Sequence, residues 1–257
     1  MTEHVITINR EQCIGCGMCK KDCAAHNIEM KDGRPYIIED DCIQCGHCVS
    51  VCPQEAITIS GYGAEPLAAN KDTHLNPDQL LDVIRFRRTV RQFQNKDIPA
   101  EVMNQILQAG WMTHTAKNLR DVSFIVLDKE KADFEKMAVK LFRKLKPFAG
   151  LFNSMVRRVS IDDHFFFFHA PAVIVIIAKD RTNGLLAAQN MEFAAEANRL
   201  GVLFSGFFAT AANISGKIRK KLGVPRGKKI AAVLVLGYPN VKYQREVPRE
   251  KMDVKYL

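Results

Sequence analysis

The 257-residue chain lacks both common nucleotide fingerprints, a complete G-x-G-x-x-G and a P-loop, so neither a Rossmann dinucleotide unit nor a Walker-type phosphate cradle is expected. A nicotinamide, if used, would have to dock against another bound group. Long hydrophobic runs are missing too. The longest apolar stretch, residues 170–178, is far shorter than the ~20 residues a membrane-spanning helix needs. Nothing resembling a secretory h-region precedes the first cysteine. These absences lead to the expectation of a soluble, cytoplasmic protein without a membrane partner. The net charge is +9, but the cations are scattered among helices without interleaved aromatics, which argues against a nucleic-acid partner. The chain does hold 47% hydrophobic residues, enough for a full core, and its length suits one small module plus one domain of ordinary size.

Cysteine is confined to two matched runs: Cys13, Cys16, Cys19 and Cys23, then Cys42, Cys45, Cys48 and Cys52 followed by Pro53. Both read C-x2-C-x2-C-x3-C, the bacterial arrangement that holds a pair of four-iron four-sulfur clusters. A tight loop wraps three thiolates round one corner of a cube, and the fourth comes from the other run. One cluster then takes Cys13, Cys16, Cys19 and Cys52; the other takes Cys42, Cys45, Cys48 and Cys23. A disulfide framework would need an oxidising compartment. Structural zinc prefers two separated C-x2-C pairs per ion, so a third cysteine after each pair is the wrong count. The first run departs only at Ala24, where proline often follows, and that residue is not a ligand.

Over about residues 5–60 the chain resembles the bacterial two-cluster ferredoxins, internal duplication included. Each half reads as a short strand, a ligand loop and a helical turn, with strands at residues 5–8, 36–38 and 56–59. Gly15, Gly17 and Gly46 let the backbone turn closely enough for its amides to face sulfur. His47 is read as a solvent-facing loop residue, because the thiolate count is already complete. Residues 1–60 hold five basic and nine acidic side chains, giving −4 and leaving +13 for the remainder. Each oxidised cluster with its four thiolates adds about −2 more, so attraction to the basic remainder, or of an acidic external donor to it, is expected.

The division is therefore a cluster module over residues 1–62, a linker over 63–76, and a second domain over 77–257. The linker contains glycine, proline, alanine and asparagine with no sustained period. Beyond it Asn76 caps a helix opened by Pro77, with Leu80, Leu81 and Ile84 on one side as far as Arg87. A second helix runs from Pro99 to Gly110. Residues 122–127, 173–178 and 230–237 read as strands. Residues 185–200 form a helix apolar on most faces, as expected of a buried one. Helices alternate with strands throughout, so the class is mixed α and β.

Where the first of these helices ends, Arg87, Arg88, Thr89 and Arg91 place three guanidiniums and a hydroxyl within five residues, which suits a phosphate and a polyol chain. A solvated basic helix end would look the same in isolation. The order of further motifs changes that. Residues 78–257 resemble the FMN-dependent nitroreductase family, and the whole chain resembles ferredoxin-nitroreductase fusions of anaerobes. Arg87 to Arg91 match the family's opening R-R-[ST]-x-[RK]. Thr115, Ala116, Lys117 and Asn118 match a short loop that reaches a flavin from the partner subunit. Ala187 to Met191, then Leu200, Gly201 and the turn Phe204-Ser205-Gly206-Phe207, match the dimer helix and the amides that face flavin N5. Residues 223–225, 233–239 and Pro248-Arg249 match the closing strand and a basic tail that returns to the phosphate.

The resemblance implies an α+β domain with a central sheet flanked by helices, in a domain-swapped type of homodimer with two FMN molecules. It implies FMN contacts from Arg87, Arg88, Thr89, Arg91, Thr115, Ala116, Asn118, Ser205, Gly206 and Arg249, with the Ser205 and Gly206 amides in the catalytic role. The family's proline before the loop is His114 here, and Q-P-W after it is Arg120-Asp121-Val122, so the pocket over the ring differs. Residues 129–168 match poorly. Within them Phe165 to Phe168, flanked by His164 and His169, are read as core or dimer packing first and as a flavin lid second, with both histidines structural.

Three functions remain open. In the first, an enzyme takes electrons singly at the clusters, for example from an external ferredoxin, and passes them through FMN to a small oxidised acceptor. In the second, NAD(P)H is the donor and the clusters export electrons to another carrier. In the third, the protein senses redox state without turnover. The first is the working expectation.

Overall fold

The computed structural model describes residues 4–38, 42–63, 65–69 and 73–257. Residues 64 and 70–72 of the expected linker, and residues 1–3 and 39–41 of the expected module, lie outside the described residues. The chain forms two compact units: Met1–His74 with Thr115–Leu119, and Leu75–His114 with Arg120–Leu257. The inclusion of Thr115–Leu119 in the first unit differs from the simple order of module, linker and domain.

In the first unit β1 (Ile6–Ile8) pairs antiparallel with β4 (Ile57–Ile59), and β2 (Ile28–Lys31) with β3 (Arg34–Ile37). The hairpin β2–β3 has an origin in sequence that the strand reading passed over: Asp32 and Gly33 take φ of 51° and 72°, the left-handed pair that a two-residue hairpin turn demands. Two short helices, α1 (Met18–Lys21) and α2 (His47–Ser50), follow the two ligand loops. Each starts from a left-handed glycine, Gly17 at φ 72° and Gly46 at φ 78°. The buried apolar side chains at the centre are Cys19, Ile28, Cys48 and Ile57.

The second unit is built on an antiparallel sheet in the order β5-β6-β8-β7, comprising β5 (Ser123–Leu127), β6 (Ala172–Ala178), β7 (Gly201–Phe204) and β8 (Lys229–Gly237). The central strand β6 is buried along its whole length, and alternation sorts its side chains. Ala172, Ile174 and Ile176 pack with Ile106 of α4 (Ala100–Trp111) and Met191 of α7 (Arg181–Ala197). Val173, Val175 and Ile177 pack with Phe134 of α5 (Lys131–Phe152) and Phe208 of α8 (Gly206–Ile214). The α+β class with a sheet between helices is thus the observed one.

The helix α3 (Pro77–Phe86) has the expected cap, since the Asn76 side chain accepts from the Gln79 amide at 3.0 Å. Helix α7 starts earlier than the apolar pattern suggests, because Asp180 caps it by accepting from the Thr182 amide at 2.8 Å. The poorly matched middle is mostly α5, followed by α6 (Ser154–Arg158), and α9 (Gly216–Lys221) follows α8. Phe166 and Phe167 are each 1% exposed, so the tetraphenylalanine packs the core of this unit. Among the described residues no helix is long and apolar enough to cross a membrane.

Candidate functional site

Two cavities lie in the first unit. One is lined by Cys13, Cys16, Cys19 and Cys52. The other is lined by Cys23, Cys42, Cys45 and Cys48. The structure therefore brings together two sets of four thiols, each with its last member drawn from the other run. Backbone amides already face the sulfurs: Asn27 donates to Cys23 Sγ, Gln44 to Cys42 Sγ and Ala56 to Cys52 Sγ, each at 3.3 Å. Amide hydrogen bonds to thiolates are one of the levers by which a protein holds and tunes an iron–sulfur cluster, so the donor set fits such a group. Burial pushes the Cys48 thiol up to about 11 and raises that of Cys19. Metal loading must release the protons of these two buried thiols.

In the second unit the segment after α3 carries the basic cluster. Arg87 Nη1 pairs with Glu192 Oε2 at 2.5 Å, and its guanidinium lies over the Phe193 ring at 5.6 Å. Gln189 donates to the same carboxylate oxygen at 2.7 Å. Arg88 Nη1 donates to the carbonyls of Arg85 (2.7 Å) and Arg87 (2.6 Å). Arg87 Nε and Arg88 Nη2 remain buried with no hydrogen-bond partner among the described residues. Buried donors of this kind carry a desolvation cost until something accepts from them, and an anionic group fits. The Val90 amide donates to the Val202 carbonyl at 3.1 Å, and Gly201 is packed so tightly there that a Cβ would lie 2.5 Å from Val90 Cγ2. Arg91 is exposed.

The structure gives three groups of the expected contact residues the following surroundings. The Asn118 carboxamide, expected at a flavin, donates to the Ile43 and Gln44 carbonyls at 3.0 and 2.7 Å within the first unit. Thr115 and Ala116 belong to that unit as well. The Ser205 amide, expected to face a flavin, is spent on the Val233 carbonyl at 2.8 Å, and its hydroxyl donates to the Phe166 carbonyl at 3.1 Å. Gly206 is exposed at the first position of α8, where helix amides lack intrahelical partners. Third, the tail does reach the basic segment, but through Tyr243, whose hydroxyl approaches the Thr89 carbonyl at 3.3 Å, and Glu246, 3.5 Å from Arg85 Nε. Arg249 is exposed outside regular structure.

Buried acids are what the sequence reading missed. Glu135 is 5% exposed and accepts from the Phe166 and Phe167 amides at 3.0 and 2.7 Å, with His164 Nδ1 at 3.6 Å. The rings of His164 and His169 lie 3.6 Å apart. Burial raises the Glu135 pKa against the pull of those donors. Asp121, standing where the resembled family has proline, is 8% exposed and accepts from the Lys179 and Asp180 amides and the Asn183 carboxamide at 2.7–2.8 Å. Burial acts to raise its pKa, but these donors outweigh it and the group sits below its ordinary value. Acids in helices or before strands carry no periodic signal, so only a partner list reveals them.

Residues 12–65 match the family model described as a 4Fe-4S dicluster domain. A ferredoxin of Methanothermococcus thermolithotrophicus is 37% identical over 57 residues, covering 21% of this chain and 95% of that one. A Methanothermobacter thermautotrophicus protein provisionally named NADH dehydrogenase/NAD(P)H nitroreductase is 24% identical over 177 residues, covering 65% of this chain and 81% of that one. A Desulfitobacterium hafniense nitroreductase with bound FMN has the same fold, with a TM-score of 0.57 and 21% identity over 71% of this chain and 100% of that one. The family model that covers most of the chain is the Nitroreductase family, matched by residues 84–238; with a ferredoxin-type dicluster domain ahead of it, the chain belongs to the nitroreductase family of oxidoreductases.

Proposed function

We propose that the protein moves electrons between two four-iron four-sulfur clusters and FMN to reduce a small oxidised acceptor. The observation that carries this is the pair of four-thiol cavities in the same chain as a nitroreductase-family domain. Cys13, Cys16, Cys19 and Cys52 would hold one cluster, and Cys23, Cys42, Cys45 and Cys48 the other. The unpartnered guanidinium nitrogens of Arg87 and Arg88, with Thr89 and Arg91, are suited to the FMN phosphate and its polyol chain. The Gly206 amide at the start of α8 is suited to developing negative charge. When bound, FMN supplies the exchange between one-electron and two-electron transfer.

A homodimer is part of the same proposal. Phe148, Leu151, Phe152 and Met155 are 69%, 75%, 92% and 58% exposed, an apolar surface of the kind that a second subunit covers. Residues 1–62 would act as the cluster module and 77–257 as the flavin domain, with 115–119 serving the module.

The test is anaerobic stopped-flow reduction of the iron- and flavin-loaded protein. Reduced low-potential ferredoxin is expected to reduce the clusters first and then bleach the flavin. If NADH or NADPH reduces the flavin before the clusters, and just as fast, electrons run the other way and the protein is a reductase for another carrier. The name of the archaeal relative supports including that arm. A reduced flavin that no nitro compound, quinone or enone reoxidises above background would instead favour a sensor.

A further inference from the structure

The two ligand loops share one cysteine spacing but differ in their surroundings. In the first, the residue before the second cysteine is Gly15, at φ 71°, packed so that a Cβ would sit 2.3 Å from the Gly33 carbonyl oxygen. Its counterpart in the second loop is Gln44, also left-handed at φ 53°. That loop is held from far along the chain. Asn118 Nδ2 donates to the Ile43 carbonyl at 3.0 Å and the Gln44 carbonyl at 2.7 Å, and the Tyr62 hydroxyl approaches the latter at 3.4 Å. The Ile43 carbonyl and the Gln44 amide are the two ends of one peptide group, and that amide donates to Cys42 Sγ at 3.3 Å. A donor at the carbonyl end polarises the peptide and strengthens the hydrogen bond at the amide end.

The segment that delivers Asn118 is itself strained. Lys117, Asn118 and Arg120 take φ of 51°, 52° and 45°, a conformation that non-glycine residues keep only where surrounding contacts over-determine it. Residues 115–119 lie inside the stretch matched to the nitroreductase family yet group with the iron–sulfur unit.

We propose that Asn118 is a positioning residue for the cluster of Cys23, Cys42, Cys45 and Cys48: by gripping the Ile43–Gln44 peptide it strengthens the amide hydrogen bond to Cys42 Sγ and raises the reduction potential of that cluster alone. The sign follows from charge, because reduction adds an electron to an already anionic group and a stronger donor at its sulfur stabilises the reduced state more. The segment of the nitroreductase-family domain thereby tunes one of two otherwise duplicate sites. The inference rests on the ligand sets proposed above.

The test is a redox titration of the loaded, full-length protein followed by electron paramagnetic resonance. Asn118→Gly removes the donors while relieving the left-handed strain; Asn118→Asp keeps the shape without the donors. Both are expected to lower the midpoint potential of one cluster, Asn118→Asp by more because it adds a negative charge. In Asn118→Gly the second midpoint stays where it is. The cluster that moves is expected to be the one whose signal changes in Cys42→Ser. Loss of iron from that cluster alone would support the same assignment. Unchanged midpoints in an iron-replete Asn118→Asp, equal shifts of both in Asn118→Gly, or equal loss of iron from both would overturn it. Wild-type iron content is read first: fewer than two clusters would overturn the ligand assignment itself, whereas two clusters with unmoved potentials overturn only the role of Asn118.

Discussion

Asp121 shows how a single residue can be legible as a departure yet opaque in role. The sequence marks it as a substitution of a family pattern; the structure shows its carboxylate tying the start of β5 to the end of β6 and the entrance of α7 through three donors. Asp121→Asn turns an NH2 group toward amide donors and is expected to cost about 1–3 kcal/mol, read as a lower denaturant midpoint of the second unit. Because its folded pKa is depressed, the wild-type stabilisation is complete above the unfolded pKa and drains away as pH falls through the folded value. The variant should lose that acid dependence. Glu196 has the opposite sign. Burial, then the neighbouring Glu192, pushes its carboxyl from 4.5 up to about 7, with Arg87 pulling it down. The folded state therefore binds the proton more tightly than the unfolded chain, and stability falls as pH rises from 4.5 towards 7. Glu196→Gln is expected to flatten the thermal midpoint across that range and raise it on the alkaline side; an unaltered pH profile would count against the burial argument.

At the scale of elements, periodicity located α3, α4, β5, β6 and β8, because each pairs a strong pattern with a cap or a run of branched residues. It did not locate α5, a 22-residue helix with Pro147 inside it, or the short edge strand β7, whose residues gain their strand geometry from β8. Close approach of elements is likewise invisible in a pattern. Gly184 lets α7 lie against the sheet, since a Cβ there would come within 2.3 Å of the Ala231 Cβ. Gly184→Ala is expected to cost about 1–3 kcal/mol by overpacking, measured by chemical denaturation, with Gly206→Ala, where a Cβ meets nothing within 4 Å, as the comparison for steric cost. In the first unit Gly15→Ala combines a clash at 2.3 Å with a left-handed φ of 71°. It is expected to lose about half the bound iron, the share of one of two equal clusters, by elemental analysis.

For the molecule as a whole, the two units depend on different forces. The second unit has a sheet covered by helices on both faces. Among the described residues of the first, the buried cluster is small, Cys19, Ile28, Cys48 and Ile57, and two of those are thiols proposed as ligands, so its stability is expected to come from metal. Removing iron with a chelator under oxidising conditions is expected to abolish amide-exchange protection in the first unit while leaving that of β6 and β8 intact; equal loss in both would show that the units unfold as one. The amino-acid sequence by itself determined the number of thiols, their grouping into two runs, the α+β class and the basic segment after α3, because spacing and periodicity are local and read directly from residue order. Only the tertiary structure decided that Asn118 serves a ligand loop, that the Ser205 amide is spent inside the sheet, and that Glu135, Glu192 and Asp121 are buried acids with partners. Those roles depend on which backbone donors and acceptors are left free once the chain has folded, and no order of residues states that in advance.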